Sequence, residues 1–488
     1  MFARCIIPYQ QILTRLLQDS LNSSNENLRA IAAECLGYLA RVVTSPSFNN
    51  NLVQSLVDQV ITNRDPDTRA GCSLALGCIL SQMGGMAASS HLKMAVNVLQ
   101  SLAEDTHPTV HTWALHSLWL TVESSGLMYG QYVNSTLAMI VKLLMAESHE
   151  PITASSHPAN KTGETDTYSS FGRILYALIN TIGPELSSSS KTRDLCLYLY
   201  EEFKNDSDVF VVVEAIRCIQ HFITFAPACV DVPMLIPFLQ RQLSGDYHSQ
   251  VPVLRKAAVT CLYQLTQRNP AIVLSSSHDL EEQLFALLDT ETDQMVRDEI
   301  KDILIGLLKF VAPTNPSRWL DLCKKILSKT GAASSTEPAS QASRGIPVAL
   351  NDDDDDMMHS DDGPKSPTHH SAPDTPVQVV IVVLLPRWRT QIFAMTSLRQ
   401  CLNVVKNTSK KEHFDLALAR RQKKVAESQG GQSDYLVFRL SDLVRMGFTA
   451  ATANVDDLRL EGLQVLKDIL EVSIGFTTWY LQRLIVGL

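Results

Sequence analysis

The stretch Asp65-Pro-Asp-Thr-Arg-Ala-Gly-Cys-Ser-Leu-Ala-Leu-Gly77 decides how the fold is interpreted. Aspartate followed by proline is a typical helix start, because the Asp65 side chain can cap the first turn and Pro66 has no N–H that needs a partner. Small residues such as Ala70 and Gly71 let a paired helix approach closely. The stretch therefore predicts a turn followed by a tightly packed helix.

The same pattern returns on both sides of this stretch. A polar turn and then a small-and-aliphatic helix occur at 25–37 and, more weakly, at 107–118. Arg29, Arg69 and His111 take equivalent positions in the three copies, at steps of 40 and 42 residues. A basic residue near a turn can pair with an acidic turn residue of the neighbouring copy. The alternative is that these arginines form a ladder for a ligand.

Later stretches keep the spacing, since Arg255 and Arg297 are 42 residues apart and Cys218 and Cys261 are 43 apart. An amphipathic run at 51–61 precedes the helix start at 65, so each unit contains two helices. A period of about 40 to 47 residues with two helices per unit is typical of HEAT and armadillo repeats. The sequence therefore predicts an all-α fold, a HEAT/armadillo-type α-solenoid with about six units before a linker and about two after it.

Two polar segments interrupt the repeats. The first is a loop at 148–167, and the second, at 330–377, is rich in Ala, Ser, Pro and Asp. Between 331 and 376, nine acidic residues stand against two basic ones, a net charge of −7 out of −9 for the whole chain. Such a composition cannot offset the entropy lost on ordering, so we predict a disordered acidic linker. The predicted domains are a solenoid at 1–329, the linker at 330–377, and further HEAT-type helices at 378–488 with an atypical end.

Composition excludes several classes of protein. The 488 residues are 45% hydrophobic and 19% charged, enough to bury a core. Outside the acidic segment the chain is close to neutral, which argues against a general nucleic-acid partner. The longest apolar run, Val379 to Leu385, is far short of the ~20 residues that span a membrane. Ten cysteines without a CxxC pair are typical of buried thiols in a reducing compartment. We therefore expect a cytoplasmic protein.

No catalytic motif is present. The sequence contains no HExxH, GxSxG, Walker-type or GxGxxG pattern. His369 and His370 are adjacent but belong to the acidic segment, where a solvated spacer is the simpler interpretation than a metal site. We predict that the chain is not an enzyme and has no catalytic, metal or cofactor site.

The acidic linker carries three candidate phosphorylation sites. Ser366 and Thr375 each precede a proline, and Ser360 precedes two aspartates. A phosphate would add about −1.5 to −2 charges to an already acidic tether. The alternative is an inert, solubilising spacer.

A candidate basic contact patch follows the linker, interleaved with Phe414, Leu416 and Leu418. Its members are Lys406, Lys410, Lys411, Arg420, Arg421, Lys423 and Lys424. Such a patch can contact acidic lipid headgroups or the chain's own acidic linker. A solvated helix face is the alternative.

Three stretches of the repeats have a familiar sequence: Leu28-Arg-Ala-Ile-Ala-Ala-Glu-Cys-Leu-Gly37, 65–78 and 107–118. They closely resemble the HEAT-repeat-containing protein 5 family. The stretches 379–389 and 458–464 are similar to it as well, whereas 472–488 departs from its pattern. Members of that family are much longer solenoids, so the resemblance implies an internal portion or a short isoform.

The resemblance implies a cytosolic trafficking scaffold without catalytic residues. Its expected partners are the clathrin adaptor complex and accessory proteins of the aftiphilin and gamma-synergin type, at the trans-Golgi network and endosomes. Membrane association would then be peripheral, through partners. The alternatives are a cargo carrier resembling nuclear transport receptors and a regulatory subunit of an enzyme complex.

Overall fold

A computed structural model describes residues 7–146, 167–243, 251–277, 279–328, 388–408, 410–428 and 434–486. Within these ranges the regular structure is helical, with no β-strand. The predicted linker at 330–377 lies outside the described residues, as does the predicted loop at 148–167 except for Thr167, the first residue of a helix. The all-α class is confirmed.

Two compact units divide the chain, one formed by Met1–Leu284 with Thr292–Phe310 and the other by Phe285–Glu291 with Val311–Leu488. The helices up to Val311 are α1 (Gln10–Leu21), α2 (Glu26–Val42), α3 (Pro46–Thr62), α4 (Pro66–Met83), α5 (Gly85–Ala103), α6 (Pro108–Ser125), α7 (Val133–Ala146), α8 (Thr167–Ile182), α9 (Ser190–Lys204), α10 (Val209–Phe225), α11 (Val232–Leu243), α12 (Pro252–Arg268), α13 (Pro270–Ser276), α14 (Leu280–Thr290) and α15 (Gln294–Val311).

The first unit is a stack of helix pairs. Each odd-numbered helix from α1 to α11 packs against the even-numbered helix that follows it. The even-numbered helices α2, α4, α6, α8, α10 and α12 pack successively against one another and form a continuous row. A pair is therefore covered on both sides by its neighbours, which is the packing of a HEAT-type solenoid.

Local signals explain where the helices begin. The Asp65 carboxylate accepts a hydrogen bond from the Thr68 N–H at 2.9 Å, and Pro66 is the first residue of α4. Asn25 caps α2 in the same way through the Leu28 N–H. At the other end of α4, Gly84 has a φ of +76°, which favours glycine and ends the helix.

Small residues set the spacing of the row. A Cβ added to Gly77 of α4 would lie 2.7 Å from the Cα of Ser117 in α6, so only glycine fits this contact. Around it, Leu76, Ile79 and Leu80 are fully buried. The small and aliphatic residues that identify the repeat in the sequence are thus the ones that let α4 pack between α2 and α6.

The second unit contains α16 (Pro316–Ser328), α17 (Trp388–Asn407), α18 (Leu416–Ser428), α19 (Leu440–Ala451) and α20 (Asp456–Val486). Its core includes Trp319, whose indole N–H donates to the Ser397 hydroxyl at 3.2 Å. The Cys323 thiol, one turn further along α16, lies near the Ala394 carbonyl. Because the later residue of α16 meets the earlier residue of α17, the two helices are antiparallel partners. The segment 329–387 therefore connects two helices of a single pair.

Candidate interaction surfaces

Two of the arginines at the repeat positions, Arg29 and Arg69, are used inside the stack. Arg29 of α2 is 4% exposed, and its guanidinium bonds the Asp67 carboxylate at 2.8 Å and the Ser23 carbonyl at 2.7 Å. Arg69 of α4 pairs with Asp105 of the following repeat at 2.6 Å. Pairing with the acidic turn of the neighbouring unit is thereby confirmed, and the ligand-ladder alternative is wrong for these two side chains.

His111, the third basic position, behaves differently. Its ring Nδ1 lies 2.5 Å from the Ala103 carbonyl at the end of α5, so it bridges the two helices of its own pair. The imidazole is shorter than an arginine side chain. It therefore joins the two helices of its own pair, whereas an arginine at this position would reach the neighbouring pair.

A set of aromatic and charged side chains lies on α6, α8 and α10, in the middle of the first unit. We call it the aromatic–basic ladder, and its members are Trp113, His116, Trp119, Arg173, Tyr176, Glu214, Arg217, His221 and Phe225. All except Glu214 are half-buried, with part of each side chain at the surface.

On α6, the ladder follows a spacing of three residues. The His116 ring makes edge contacts with Trp113 and Trp119, at centroid distances of 6.1 and 5.2 Å. Burial and the nearby Arg173 guanidinium lower the pKa of His116 to about 4. At neutral pH the imidazole is therefore uncharged and acts as part of an aromatic surface.

Between α8 and α10, two arginines surround one carboxylate. Arg173 lies over the Trp119 ring at 5.4 Å and 3.9 Å from Glu214. Arg217 bonds the same Oε1 of Glu214 at 2.9 Å. Glu214 is 5% exposed, and its Oε2 has no hydrogen-bond partner among the residues that the structure describes. Burial raises the pKa of Glu214 against the opposing effect of the two arginines.

The ladder continues along α10. The Tyr176 and His221 rings lie 4.9 Å apart, and His221 stacks on Phe225 at 6.0 Å. Burial lowers the pKa of His221. Half-exposed aromatic rings beside guanidinium groups are the side chains most enriched at the centres of protein interfaces. The ladder is therefore a surface suited to contact with another protein.

Sequence reasoning missed the ladder because its members come from three repeats. The available signal in the sequence was the recurrence of aromatic rings at every third residue, Trp113, His116 and Trp119. Their link to Arg173 and Glu214 requires the stacking of α6, α8 and α10, which no short motif encodes.

The structure places the seven predicted basic residues at the surface of the second unit. Lys406 lies in the last turn of α17, Lys410 and Lys411 lie just after it, and α18 carries Arg420, Arg421, Lys423 and Lys424. All seven side chains are exposed. Lys423 also lies 5.3 Å from the Phe438 ring.

The four basic residues of α18 form its exposed side. At 100° per residue, Arg420 and Lys424 share one face, with Arg421 and Lys423 flanking them. Ala419 is the buried residue of the helix. The three candidate phosphorylation sites, Ser360, Ser366 and Thr375, lie outside the described residues.

Metal-ligating groups, clefts and long apolar helices are the features that would indicate other kinds of site in the described ranges. No group of three or more His, Cys, Asp or Glu side chains there is placed to hold a metal ion. A cleft lined in part by Arg41, Asn49, Gln82 and His91 has a volume of about 240 Å³, below the usual size of a small-molecule site. A groove lined by Leu440, Val444 and Phe448 is larger, about 590 Å³, but it is shallow and open to solvent. None of the described helices has the length and apolar character to cross a bilayer.

Nine cysteines are described, and none forms a disulfide. Burial raises the pKa of Cys72 and Cys196 to about 12, which holds both as unreactive thiols. Cys35 is the exposed one. It lies on the outer side of α2, at helical spacing with the exposed Leu28, Ile31 and Tyr38.

The stacked pairs define the class of this protein, a HEAT-type helical repeat solenoid. One similar chain comes from a solved structure that reports that Kap95p binding induces the switch loops of RanGDP to adopt the GTP-bound conformation. The match covers 96% of this chain and 52% of that chain, at 12% sequence identity and a TM-score of 0.50. A chain from a solved Kap95:Nup1 complex matches at 13% identity and a TM-score of 0.44, covering 96% of this chain and 47% of that one. The first of these likenesses shows the fold.

Sequence identifies the family. The model of the Laa1/Sip1/HEATR5 HEAT repeat region matches residues 435–473, which include α19 and the first part of α20. Protein SWEETIE of Arabidopsis thaliana is 30% identical over 445 residues, which cover 91% of this chain. The chain belongs to the Laa1/Sip1/HEATR5 family of HEAT-repeat proteins. It spans 18% of the length of SWEETIE.

Proposed function

We propose that this chain is part of a non-enzymatic scaffold in membrane trafficking, supporting clathrin-adaptor-linked transport between endosomes and the trans-Golgi network. Family membership supports the scaffold class, and the earlier resemblance supports the trafficking role. The proposed partners are clathrin adaptor and accessory proteins of the aftiphilin and gamma-synergin type. The chain associates with vesicles peripherally, through these partners.

The observation that carries the proposal is the aromatic–basic ladder. Its three helices belong to successive repeats, so one surface is assembled from several units and offers many moderate contacts to an extended partner. Trp119, with the Arg173 guanidinium over its ring, connects the α6 and α8 parts of this surface. Tryptophan and arginine at such positions contribute most of the binding free energy in many protein interfaces.

Affinity capture from cytosol tests the proposal. We compare the wild-type chain with Trp119→Ala, which removes this ring of the ladder, and identify bound proteins by mass spectrometry with crosslink mapping. Tyr198→Ala is the matched control, because Tyr198 is an exposed aromatic residue on α9, outside the ladder. Circular dichroism checks that all three chains keep the same helix content.

We expect adaptor and accessory subunits with wild type and with Tyr198→Ala, and a loss of at least about tenfold with Trp119→Ala, the ratio equivalent to 1.4 kcal/mol. Crosslinks should connect the partner to α6, α8 or α10. Recovery of Ran and nucleoporins would favour a cargo carrier instead, and a kinase or phosphatase core would favour a regulatory subunit; either result contradicts the proposal.

A further inference from the structure

Among the described residues, the arginines of α18 lack the acidic partners that another arginine of the same unit has. Arg399, in the same unit, bonds Asp468 at 2.9 Å and also reaches Glu461. Arg420, Arg421 and Lys424 form no ion pair within the part of the chain that the structure describes. Since α18 holds one acidic residue, Glu427, the helix has a strong positive excess on its exposed side.

This surface is arranged for an anion. Arg420 and Lys424 are one turn apart, and like charges at this spacing repel each other. A ligand with several negative charges would relieve that repulsion and contact both flanking residues, Arg421 and Lys423. Guanidinium and ammonium groups bind carboxylates and phosphates with the strongest hydrogen bonds available to side chains.

A bilayer fits α18 poorly. A helix that lies in a membrane interface needs a continuous apolar face next to its basic one. The two exposed large apolar residues of α18 are Leu416 and Val425, 41% and 45% exposed. Nine residues separate them, which at 100° per residue places them on opposite sides of the helix. The surface therefore fits an acidic peptide better than a lipid surface.

The chain itself contains such a peptide. Asp352 to Asp356 are five consecutive aspartates in a segment whose net charge is −7. The segment starts after Ser328 and returns at Trp388, and both positions belong to the unit that holds α18. α17 is 20 residues long, about 30 Å, and α18 follows its far end. About 24 residues separate Ser328 from the first aspartate, enough to span up to about 80 Å.

We propose that the basic side of α18 is a binding site for an acidic peptide and that the run Asp352–Asp356 of the same chain occupies it. Charge complementarity supplies the attraction, and the covalent connection supplies an effective concentration in the millimolar range. Phosphates on Ser360, Ser366 or Thr375 would add charge to the same peptide and strengthen the contact.

The test measures binding of a labelled peptide of residues 346–376 to the full chain by fluorescence anisotropy. The wild-type chain is compared with a chain in which Asp352 to Asp356 are all replaced by Asn, which empties the site. We expect the peptide to bind this second chain about tenfold more tightly, because the internal competitor is gone. A peptide phosphorylated at the three sites should bind more tightly still.

Two further variants locate the site, each made in the chain with the five Asn substitutions. Arg420→Glu with Lys424→Glu should abolish peptide binding. Arg15→Glu with Lys93→Glu, which reverses two exposed basic residues of the first unit, should leave it unchanged. All these residues are exposed, so the fold should be preserved, and circular dichroism verifies this.

Equal peptide binding by wild type and by the chain with Asn at 352–356 would overturn the proposal, as would binding that survives the double reversal on α18. Vesicles containing phosphatidylserine provide the other decisive result. If they sediment both chains equally, and the α18 reversal abolishes this, the surface binds lipid and the internal peptide does not occupy it.

Discussion

Two helices of this chain, α4 and α18, use similar residues in opposite ways. α4 has twelve buried residues, and its Arg69 is paired with Asp105 of the next repeat. α18 has one buried residue, Ala419, and four exposed basic side chains. The comparison teaches that a basic residue in a helical repeat is structural when a neighbouring turn supplies an acid, and available for binding when none does.

The largest expected difference concerns apolar burial. Leu76→Ala in α4 removes a fully buried side chain and should lower the free energy of unfolding by about 3 kcal/mol. Leu416→Ala in α18 removes a side chain that is exposed and should change it by less than about 0.5 kcal/mol. Urea unfolding followed by circular dichroism, with hydrogen exchange of α4, measures both. Similar losses for the two variants would contradict the comparison.

Close helix packing gives the next effect. Gly77→Ala places a methyl group against the Ser117 backbone, so α4 and α6 must move apart, at an expected loss of about 2 kcal/mol in unfolding free energy. Gly130→Ala is the control, since a Cβ there meets no atom of the described residues within 4 Å. Thermal unfolding should show a lower midpoint for Gly77→Ala alone. An unchanged unfolding midpoint would mean that the row of even-numbered helices tolerates a larger distance between α4 and α6.

The ladder predicts a pH effect. Because the pKa of His116 is lowered to about 4 from 6.5, the unfolded chain binds the proton first as the pH falls. Stability should therefore decrease between about pH 6.5 and pH 4, by about 2 kcal/mol at pH 5. Glu214, whose pKa is raised, works in the opposite direction. His116→Gln should remove the His116 contribution selectively, and identical pH profiles for the variant and wild type would contradict the assignment.

The smallest effect is that of one ion pair. Asp67→Ala leaves Arg29 buried with the Ser23 carbonyl as its remaining acceptor, and we expect a loss of about 1 kcal/mol in unfolding free energy. Glu427→Ala removes an exposed acid of α18 and should have no measurable effect. Urea unfolding of the two variants compares them directly. A loss with Glu427→Ala as large as with Asp67→Ala would show that α18 is stabilised by charge pairing after all.

Much of the fold could be predicted because the signals are local and repeated. Asp65 caps α4 and Gly84 ends it, as their types indicate. The link from Arg29 to Asp67 was predictable as well, because one repeat length separates a basic residue from the acidic turn beside it. Each of these features depends on residues close in sequence, or separated by one known period.

The remaining features depend on contacts that no period reveals. α16 and α17 are partners although the long segment 329–387 separates them, and the Trp319 to Ser397 hydrogen bond has no signature in either stretch. The ladder joins Trp119, Arg173 and Glu214, whose separations in the sequence are unequal because residues 147–166 add length between α7 and α8. The basic residues of α18 are visible in the sequence, but their exposure depends on which side of the helix packs against the rest of its unit.

The outer edge of α2 carries a thiol that can serve as a native reporter. Alkylation of Cys35 under native conditions would proceed while the buried cysteines of the described ranges resist the reagent, so the mass increment on the peptide that contains Cys35 would record how accessible this side of α2 is to solvent. Any partner that covers this side of α2, whether another part of a longer polypeptide or a separate molecule, would slow the alkylation. The measurement needs no tag and no engineered residue.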